Sequence, residues 1–422
     1  MDLIKLYGNY VRKQISNNPE KSWNLIRTGI SANGIRTGII PNKKLPKGNQ
    51  KLDNLVMKMT SEAFNNLDKY VWCNIFTPVE ILQCFDLKVM SMESYASFLS
   101  GLYCEDYCID YAQSEGIAPT LCSYHKGFIG AVDMGLIPPP TFAITTSLAC
   151  DGNLNTFRYF KSKKNIDYHL IDIPYETDEL AINYVTKQLE GLIKELEERY
   201  NKKMDWDQLR EIIIRENESK RYLKEFIELQ KDRYYPSTLT LQLFMALATH
   251  LYIGTEEVRD LFYTMKEDIK KYPKLEGKKI FWTHVIPFYQ PTLKGYFNYN
   301  EDYQIVANDI TLDYMEELDP DKPLESLSRK MVNNIYNGPY ENKVKFIEKM
   351  VDELEIDAVI NFCHWGCKQS SGGSVILKEA MSKKKVPTLI LDGDAMDRRN
   401  SHDGQIKTRL EAFLELIDKE VR

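Results

Sequence analysis

The sequence predicts an α/β protein built on two parallel sheets joined by helices. Short apolar runs of strand length alternate with helical patterns, and that alternation is the mark of βαβ units and parallel pairing. It occurs twice, over 65–204 and again over 274–422. Between them, 205–273 carries apolar residues at helical spacing (Leu209, Ile212, Ile213; Leu223, Phe226, Ile227) and no strand signal, so it reads as a helical connection. Residues 1–64 read as a polar helical cap with a loop rich in Gly, Pro and Lys at 38–51.

Taken in order, Lys69 to Asn74 (KYVWCN) is expected as a buried strand. Thr77-Pro78 then opens a helix with proline in its first turn and Glu80 near its positive end, where the simplest role for Glu80 is to stabilise the helix dipole. Leu87 to Met92 is a second strand, followed by a helix to about residue 115. The run SYHKGFIGAVDMG after Cys122 is a helix stopped by Gly135 and the prolines at 138–140. Thr141 to Leu148 is a strand running up to Cys150, Tyr168 to Ile173 is a fourth, and 176–200 is an amphipathic helix. The second half repeats the layout, with strands at Lys278–Pro287, Tyr303–Ala307, Ala358–Phe362 and Thr388–Leu391. Its helices are expected at 324–336, 342–355, 374–383 and 404–419. The result is two Rossmann-like (flavodoxin-like) parallel-sheet domains with helical N-terminal and connecting segments.

Composition narrows the function classes. Of 422 residues, 43% are hydrophobic and 27% charged, which is ordinary for a globular enzyme with ample core. With 55 basic and 61 acidic residues the net charge is −6, and no basic block is present. Nothing electrostatic therefore draws the chain to nucleic acid or an anionic membrane. The longest apolar stretches, such as 238–249, fall short of the ~20 residues that span a bilayer. The opening MDLIKLYGNYVRKQ has charges interspersed and lacks the apolar run of a signal peptide, so a cytoplasmic location is expected. No phosphate loop and no strand-linked G-x-G-x-x-G occurs, and the glycines of 370–374 (SSGGS) read as a tight turn.

The eight cysteines are Cys73, Cys84, Cys104, Cys108, Cys122, Cys150, Cys363 and Cys367. A reducing compartment and a large core argue against disulfides, and no zinc knuckle is formed. Their positions are more telling. Cys73, Cys122, Cys150 and Cys363 fall at or just past the ends of expected strands, with Cys367 one turn further on. Open parallel sheets bind ligands beyond the carboxyl ends of their strands. Thiols from both domains could therefore meet in the cleft between them, and several convergent thiolates suit a soft-metal group, most often an iron–sulfur cluster. Cys104 and Cys108 share a helix face, as two ligands or as a core stripe, and Cys84 reads as core.

Five segments, CNIFTPVEIL (73–82), LCSYHKGFIG (121–130), CDGN (150–153), FCHWGCKQSSGG (362–373) and LILDGDAMDRRN with GQIKTRLEAF (389–413), occur in an order that spans about 65–415. In that order the chain resembles the cluster-binding subunits of the 2-hydroxyacyl-CoA dehydratase and benzoyl-CoA reductase family. The resemblance implies a [4Fe-4S] cluster held by three cysteines, Cys73, Cys122 and Cys363, with the fourth iron site open or bridged. Four surplus thiols, Cys104, Cys108, Cys150 and Cys367, make the chain most similar to the double-cubane members. Those hold an [8Fe-9S] cluster with six cysteines, are homodimers, and are reduced by a separate ATP-hydrolysing [4Fe-4S] activator. Spacing leaves open which surplus cysteine is not a ligand.

His125, Lys126 and His364 lie next to these ligands and are the candidate catalytic groups, raising the potential of the cluster or delivering protons. Asp392, Asp394, Arg398 and Arg399 form either a salt-bridge network or a contact for activator or substrate, and Arg409 is expected to pair internally. The activity expected first is an iron–sulfur reductase acting on a small molecule in the interdomain cleft. The alternatives are a 2-hydroxyacyl-CoA dehydratase subunit working through a ketyl radical, and a non-catalytic electron carrier.

Overall fold

The computed structural model describes residues 3–419. Among them, eight strands form two four-stranded sheets, parallel throughout. The first contains β1 (Tyr70–Cys73), β2 (Lys88–Ser91), β3 (Phe142–Thr146) and β4 (Tyr168–Ile171), in the order β2-β1-β3-β4. The second contains β5 (Lys278–Thr283), β6 (Tyr303–Asn308), β7 (Ala358–His364) and β8 (Thr388–Gly393), in the order β6-β5-β7-β8. Each overlaps a run expected as a strand, and β6, β7 and β8 extend one or two residues beyond it, β7 taking in Cys363 and His364. The inner strands β1, β3 and β7 are buried at every position, which is why they lack the apolar–polar alternation of a half-exposed strand.

The two sheets share one topology. Each begins in the middle, places its second strand on one side, then crosses back to place the third and fourth on the other. The chain therefore leaves β1 and β3 in opposite directions, and likewise β5 and β7, which opens a crevice at the carboxyl end of each pair. Polar side chains tie both pairs just below the crevice. Asn74 donates to the Thr146 hydroxyl at 3.0 Å and accepts from the Thr146 amide at 3.2 Å. The Thr283 hydroxyl donates to Asn361 Oδ1 at the matching place in the second sheet.

Three helices precede β1: Leu3–Ile15, Pro19–Ile39 and Lys47–Asn65. Trp23, Ile26 and Ile30 pack with Phe64, Trp72 and Tyr95 over one face of the first sheet. The connection forms three helices, Trp206–Gln230, Leu239–His250 and Glu256–Ile269. Asp205 starts the first by accepting from the Gln208 amide at 2.9 Å. Their apolar stripes join one continuous core that also takes Val71 and Ile144 from the first sheet and Phe281 and Val359 from the second. No described helix is long and apolar enough to cross a membrane.

Three expectations are corrected. The helix expected to run to about 115 is two helices, Met92–Gly101 and Glu105–Ser114, broken where Tyr103 adopts φ 58°. β5 stops at Thr283 instead of reaching Pro287, because His284 turns to φ 69° and leaves the sheet. Glu80 does more than neutralise a helix dipole. It lies fully buried beside Lys330 of the helix Pro323–Val332, with Glu216 and Lys220 of the connection completing a four-charge cluster. Lys330 Nζ is 2.6 Å from Glu80 and 2.8 Å from Glu216, and Lys220 is 2.9 Å from Glu216. Three stretches distant in sequence thus share one buried charge balance.

Burial pushes the Glu80 carboxyl up to about 7, with Lys330 opposing it. Burial also penalises the Glu216 anion, but Lys220 and Lys330 outweigh that and hold its carboxyl below the usual range. Glu80 therefore binds its proton more tightly folded than unfolded. Its stabilising contribution is complete below its ordinary value of 4.5 and is lost as the pH rises through about 7. Glu80→Gln should flatten that decline in urea-unfolding free energy. Lys330→Met, which strands two buried carboxyls, should cost about 3–5 kcal/mol in the same measurement.

Candidate functional site

The two crevices face each other across a cavity of about 130 Å³. Cys122, Cys150 and Cys367 line it, and so do His125, His284 and His364. Each thiol stands directly before a helix: Cys122 before Ser123–Asp133, Cys150 before Asp151–Lys164, and Cys367 before the short turn Lys368–Ser371. Free amides at a helix start point toward the capping position. Accordingly, Cys150 Sγ accepts from the Gly152 amide at 3.2 Å.

Each thiol also meets an imidazole. Cys122 Sγ is 3.1 Å from His364 Nε2, Cys367 Sγ is 3.1 Å from His284 Nε2, and Cys150 Sγ is 3.6 Å from His125 Nε2. Two glycines make this possible. A Cβ on Gly152 would lie 2.5 Å from His125 Nε2 and 3.0 Å from Cys150 Sγ. Gly366, at φ 81°, lets the loop after β7 lean on Cys122, since a Cβ there would lie 2.6 Å from the Cys122 nitrogen. The rest of the wall is mostly apolar, with Ile75, Phe76, Leu243, Ala246, Leu247 and Ile286 prominent.

Burial dominates the electrostatics. It raises the Cys122 thiol well above its usual range, helped by Cys367 and Cys150, and pushes Cys150 up to about 11, with Cys367 adding and the Asn153 and Gly152 amides opposing. It pulls His125 down to about 3 and lowers His284 and His364 as well, so the rings stay neutral at pH 7. Five buried lining atoms, Glu93 Oε2, Asn153 Oδ1, His284 Nδ1 and the hydroxyls of Tyr124 and Tyr336, have no hydrogen-bond partner among the described residues. Such atoms on an otherwise apolar wall call for a polar occupant.

The sequence-based site residues are distributed unevenly. Cys122, Cys150, Cys367, His125 and His364 meet at the cavity, whereas Cys73 and Cys363 do not line it. Side chains alternate along a strand. In β1 that directs Cys73 with Val71 into the apolar core. In β7 it sends His364 to the cavity and Cys363 the other way, where Cys363 Sγ contacts Asn361 Nδ2 at 3.3 Å and the Ser370 carbonyl at 3.4 Å. Cys104 and Cys108 are fully buried beyond the first sheet among the N-terminal helices, with Cys104 Sγ 3.8 Å from the Gly8 carbonyl. Cys84 is core, as expected. Lys126 is turned aside and donates to the Pro119 carbonyl at 2.6 Å.

The acidic and basic residues after β8 form a network. Arg398 and Arg399 reach Glu105 at 2.5 Å and Asp110 at 2.8 Å across the domain boundary, and Arg409 pairs with Asp392 at 2.6 Å. Asp394 accepts from the Ser123 hydroxyl and from the amides of Met396 and Asp397, bracing the loop beside His364. His284 and Glu93 are cavity residues that sequence reading missed. His284 directly follows β5 and Glu93 lies two residues past the end of β2, so the rule that drew attention to the cysteines would also have found them.

A family model described as 2-hydroxyglutaryl-CoA dehydratase, D-component, matches residues 74–417. The chain belongs to this family. It is 24% identical to the (R)-phenyllactyl-CoA dehydratase alpha subunit of Clostridium sporogenes over 381 residues, covering 84% of this chain and 91% of that protein. A benzoyl-CoA reductase subunit of Thauera aromatica is 22% identical, covering 81% and 86%. The alpha subunit of lactoyl-CoA dehydratase from Anaerotignum propionicum is 20% identical, covering 82% and 90%.

The cavity of this D-component family member suits an iron–sulfur group by its donors, with three thiols, amide donors at the helix starts and imidazoles beside the sulfurs. Among the described residues no three His, Cys, Asp or Glu side chains form a set able to hold a single metal ion. Of the eight thiols, Cys122, Cys150 and Cys367 line the cavity and the other five do not.

Cys150 and Cys367 are partly exposed while the other six cysteines are buried. In cluster-free reduced protein, a thiol-alkylating reagent should label these two first and the rest only after denaturation, as read by peptide mass spectrometry. Gly152→Ala should displace the His125 ring, shifting its imidazole NMR signals while the protein stays folded.

Proposed function

We propose that this chain is the electron-delivering iron–sulfur subunit of a 2-hydroxyacyl-CoA dehydratase-type enzyme, with one [4Fe-4S] cluster held by Cys122, Cys150 and Cys367. The observation that carries this reading is that those three thiols, from both domains, line one cavity. A bound cluster supplies single low-potential electrons and, at the iron without a protein thiol, an open coordination position. The electron donor in this reading is a separate ATP-hydrolysing iron–sulfur activator, in keeping with the lack of a phosphate loop in this chain.

The residues of the chain have separable tasks. Leu243, Ala246 and Leu247 on the helix Leu239–His250, with Ile75 and Phe76 opposite, enclose the acyl body and keep water out. Glu93, whose Oε2 has no partner among the described residues and whose carboxyl burial raises to about 7, keeps its proton far above the usual carboxylate range and is the group that can pass one to a departing hydroxyl. The reductase reading is retained because a benzoyl-CoA reductase subunit is among the relatives. It ranks second because two of the surplus thiols that motivated it, Cys104 and Cys108, lie outside the cavity. A homodimer fits the reductase reading, and pairing with a different subunit fits the dehydratase reading.

Anaerobic reconstitution with iron and sulfide tests the assignment. The expected content is about four irons per chain. Cys122→Ser, Cys150→Ser and Cys367→Ser should each lose most of it, while Cys84→Ser, Cys104→Ser and Cys108→Ser keep it. About eight irons, with loss in the Cys104 or Cys108 variant, would restore the double cubane and put the reductase first. Because Glu93 must carry its proton, turnover of a 2-hydroxyacyl thioester should fall as the pH rises through about 7. Glu93→Gln should lower kcat about 10²–10⁴-fold with its iron retained.

A further inference from the structure

The pairing of every cavity thiol with its own imidazole is not required for holding a cluster. We propose that His125, His284 and His364 act as N–H donors, one to each cluster-bound sulfur, and together set the reduction potential of the group upward. This rests on the three-thiol reading above.

His364 gives the firmest geometry. Its Nδ1 accepts from the Ala395 amide at 3.0 Å, so the ring proton must sit on Nε2, the atom 3.1 Å from Cys122 Sγ. The Ala395 amide is itself held by the loop that Asp394 braces. His125 is buttressed by Thr156, whose hydroxyl lies 2.8 Å from Nδ1, and the space left by Gly152 directs Nε2 at Cys150. His284 Nδ1 has no partner among the described residues, and its Nε2 meets Cys367 Sγ. Its backbone is held at φ 69° by donation to Asp309 at 2.6 Å, and Asp309 pairs with buried Lys343 at 2.7 Å. A side chain other than glycine kept in the left-handed region is strained and is over-determined by its surroundings.

The sequence led to an expectation of groups beside the cluster that raise its potential or deliver protons, and the geometry gives that role a form: ring nitrogens aimed at each sulfur present fixed N–H dipoles to it. Reduction adds negative charge to the sulfurs, so N–H donors stabilise the reduced form more than the oxidised form and the potential rises.

The test uses the full-length reconstituted protein. Each histidine is replaced singly by Leu and by Gln, and all three together by Leu. Iron content and the midpoint potential, followed by EPR, are measured for each. The expected result is unchanged iron with a lower potential in every Leu variant. At a fixed solution potential the ratio of reduced to oxidised protein should drop about tenfold per lost donor, or ~59 mV for a one-electron couple. The Gln variants, which keep an N–H, should recover part of the shift. Pulsed EPR of the wild-type protein in deuterated water, which needs no variant to fold, should show exchangeable deuterons coupled to the cluster that each substitution removes.

Unchanged or raised potentials, or no coupled deuterons, would overturn the inference while leaving the three-thiol reading intact. Loss of iron from a histidine variant with all its cysteines would also overturn it, since the imidazole would then be a ligand. Failure of the wild-type protein to take up iron would overturn both.

Discussion

The structure depends on one constraint of chain direction. In each sheet the second and fourth strands are reached by opposite exits from the two middle strands, so the carboxyl ends of β1 and β3, and of β5 and β7, cannot be covered by their own connecting helices. Two such openings placed face to face make a cavity closed by the middle of the helix Leu239–His250 and lined by residues at and just past strand ends and at helix starts. Those positions carry the thiols and imidazoles. Gly366 then sets how close the second domain's loop can come, and its approach to the Cys122 backbone puts Cys367 beside a thiol of the first domain.

Holding the openings in register falls to buried polar groups. The Glu80–Lys330–Glu216–Lys220 cluster joins a first-domain helix, the connection and a second-domain helix in one charge balance. Buried ion clusters add little net stability compared with an apolar replacement, but removing one member is costly, so they penalise misaligned packing. Around the cavity the protein follows the opposite course and leaves polar atoms unpaired. Glu93, Asn153 and His284 each keep one buried polar atom without a partner among the described residues, which is tolerable only where an occupant completes it.

The surplus cysteines show how burial separates chemistry from packing. Cys104 and Cys108 share a helical spacing that ligands could use, but Cys104 sits before the helix and Cys108 within it, and both fill the core beneath the N-terminal helices. The Cys108 segment is pressed against Gly130, where a Cβ would fall 1.8 Å from the Cys108 carbonyl oxygen. Those thiols are small apolar volumes at a tight helix crossing.

The succession of strands and helices, the two-fold repetition of the layout and the family were all legible in the linear sequence. They rest on apolar periodicity and local motifs, which survive without knowledge of distant contacts. The rule that thiols at strand ends mark a site was also legible, but it could not separate the last residue of a strand from the first residue beyond it. Cys73 and Cys363 are still inside the pleat, so the alternation of side chains commits them to a face of the sheet. Cys150 and Cys367 are past it and free to turn into the opening. That distinction, the meeting of Cys122 with the second domain, and the arrival of His284 opposite Cys367 depend on strand ends, loop dihedrals and packing between segments far apart in the chain. Only the tertiary structure decided them, because which way a side chain points at a strand end is set by where the hydrogen-bonded ladder stops, and residue identity does not encode that locally.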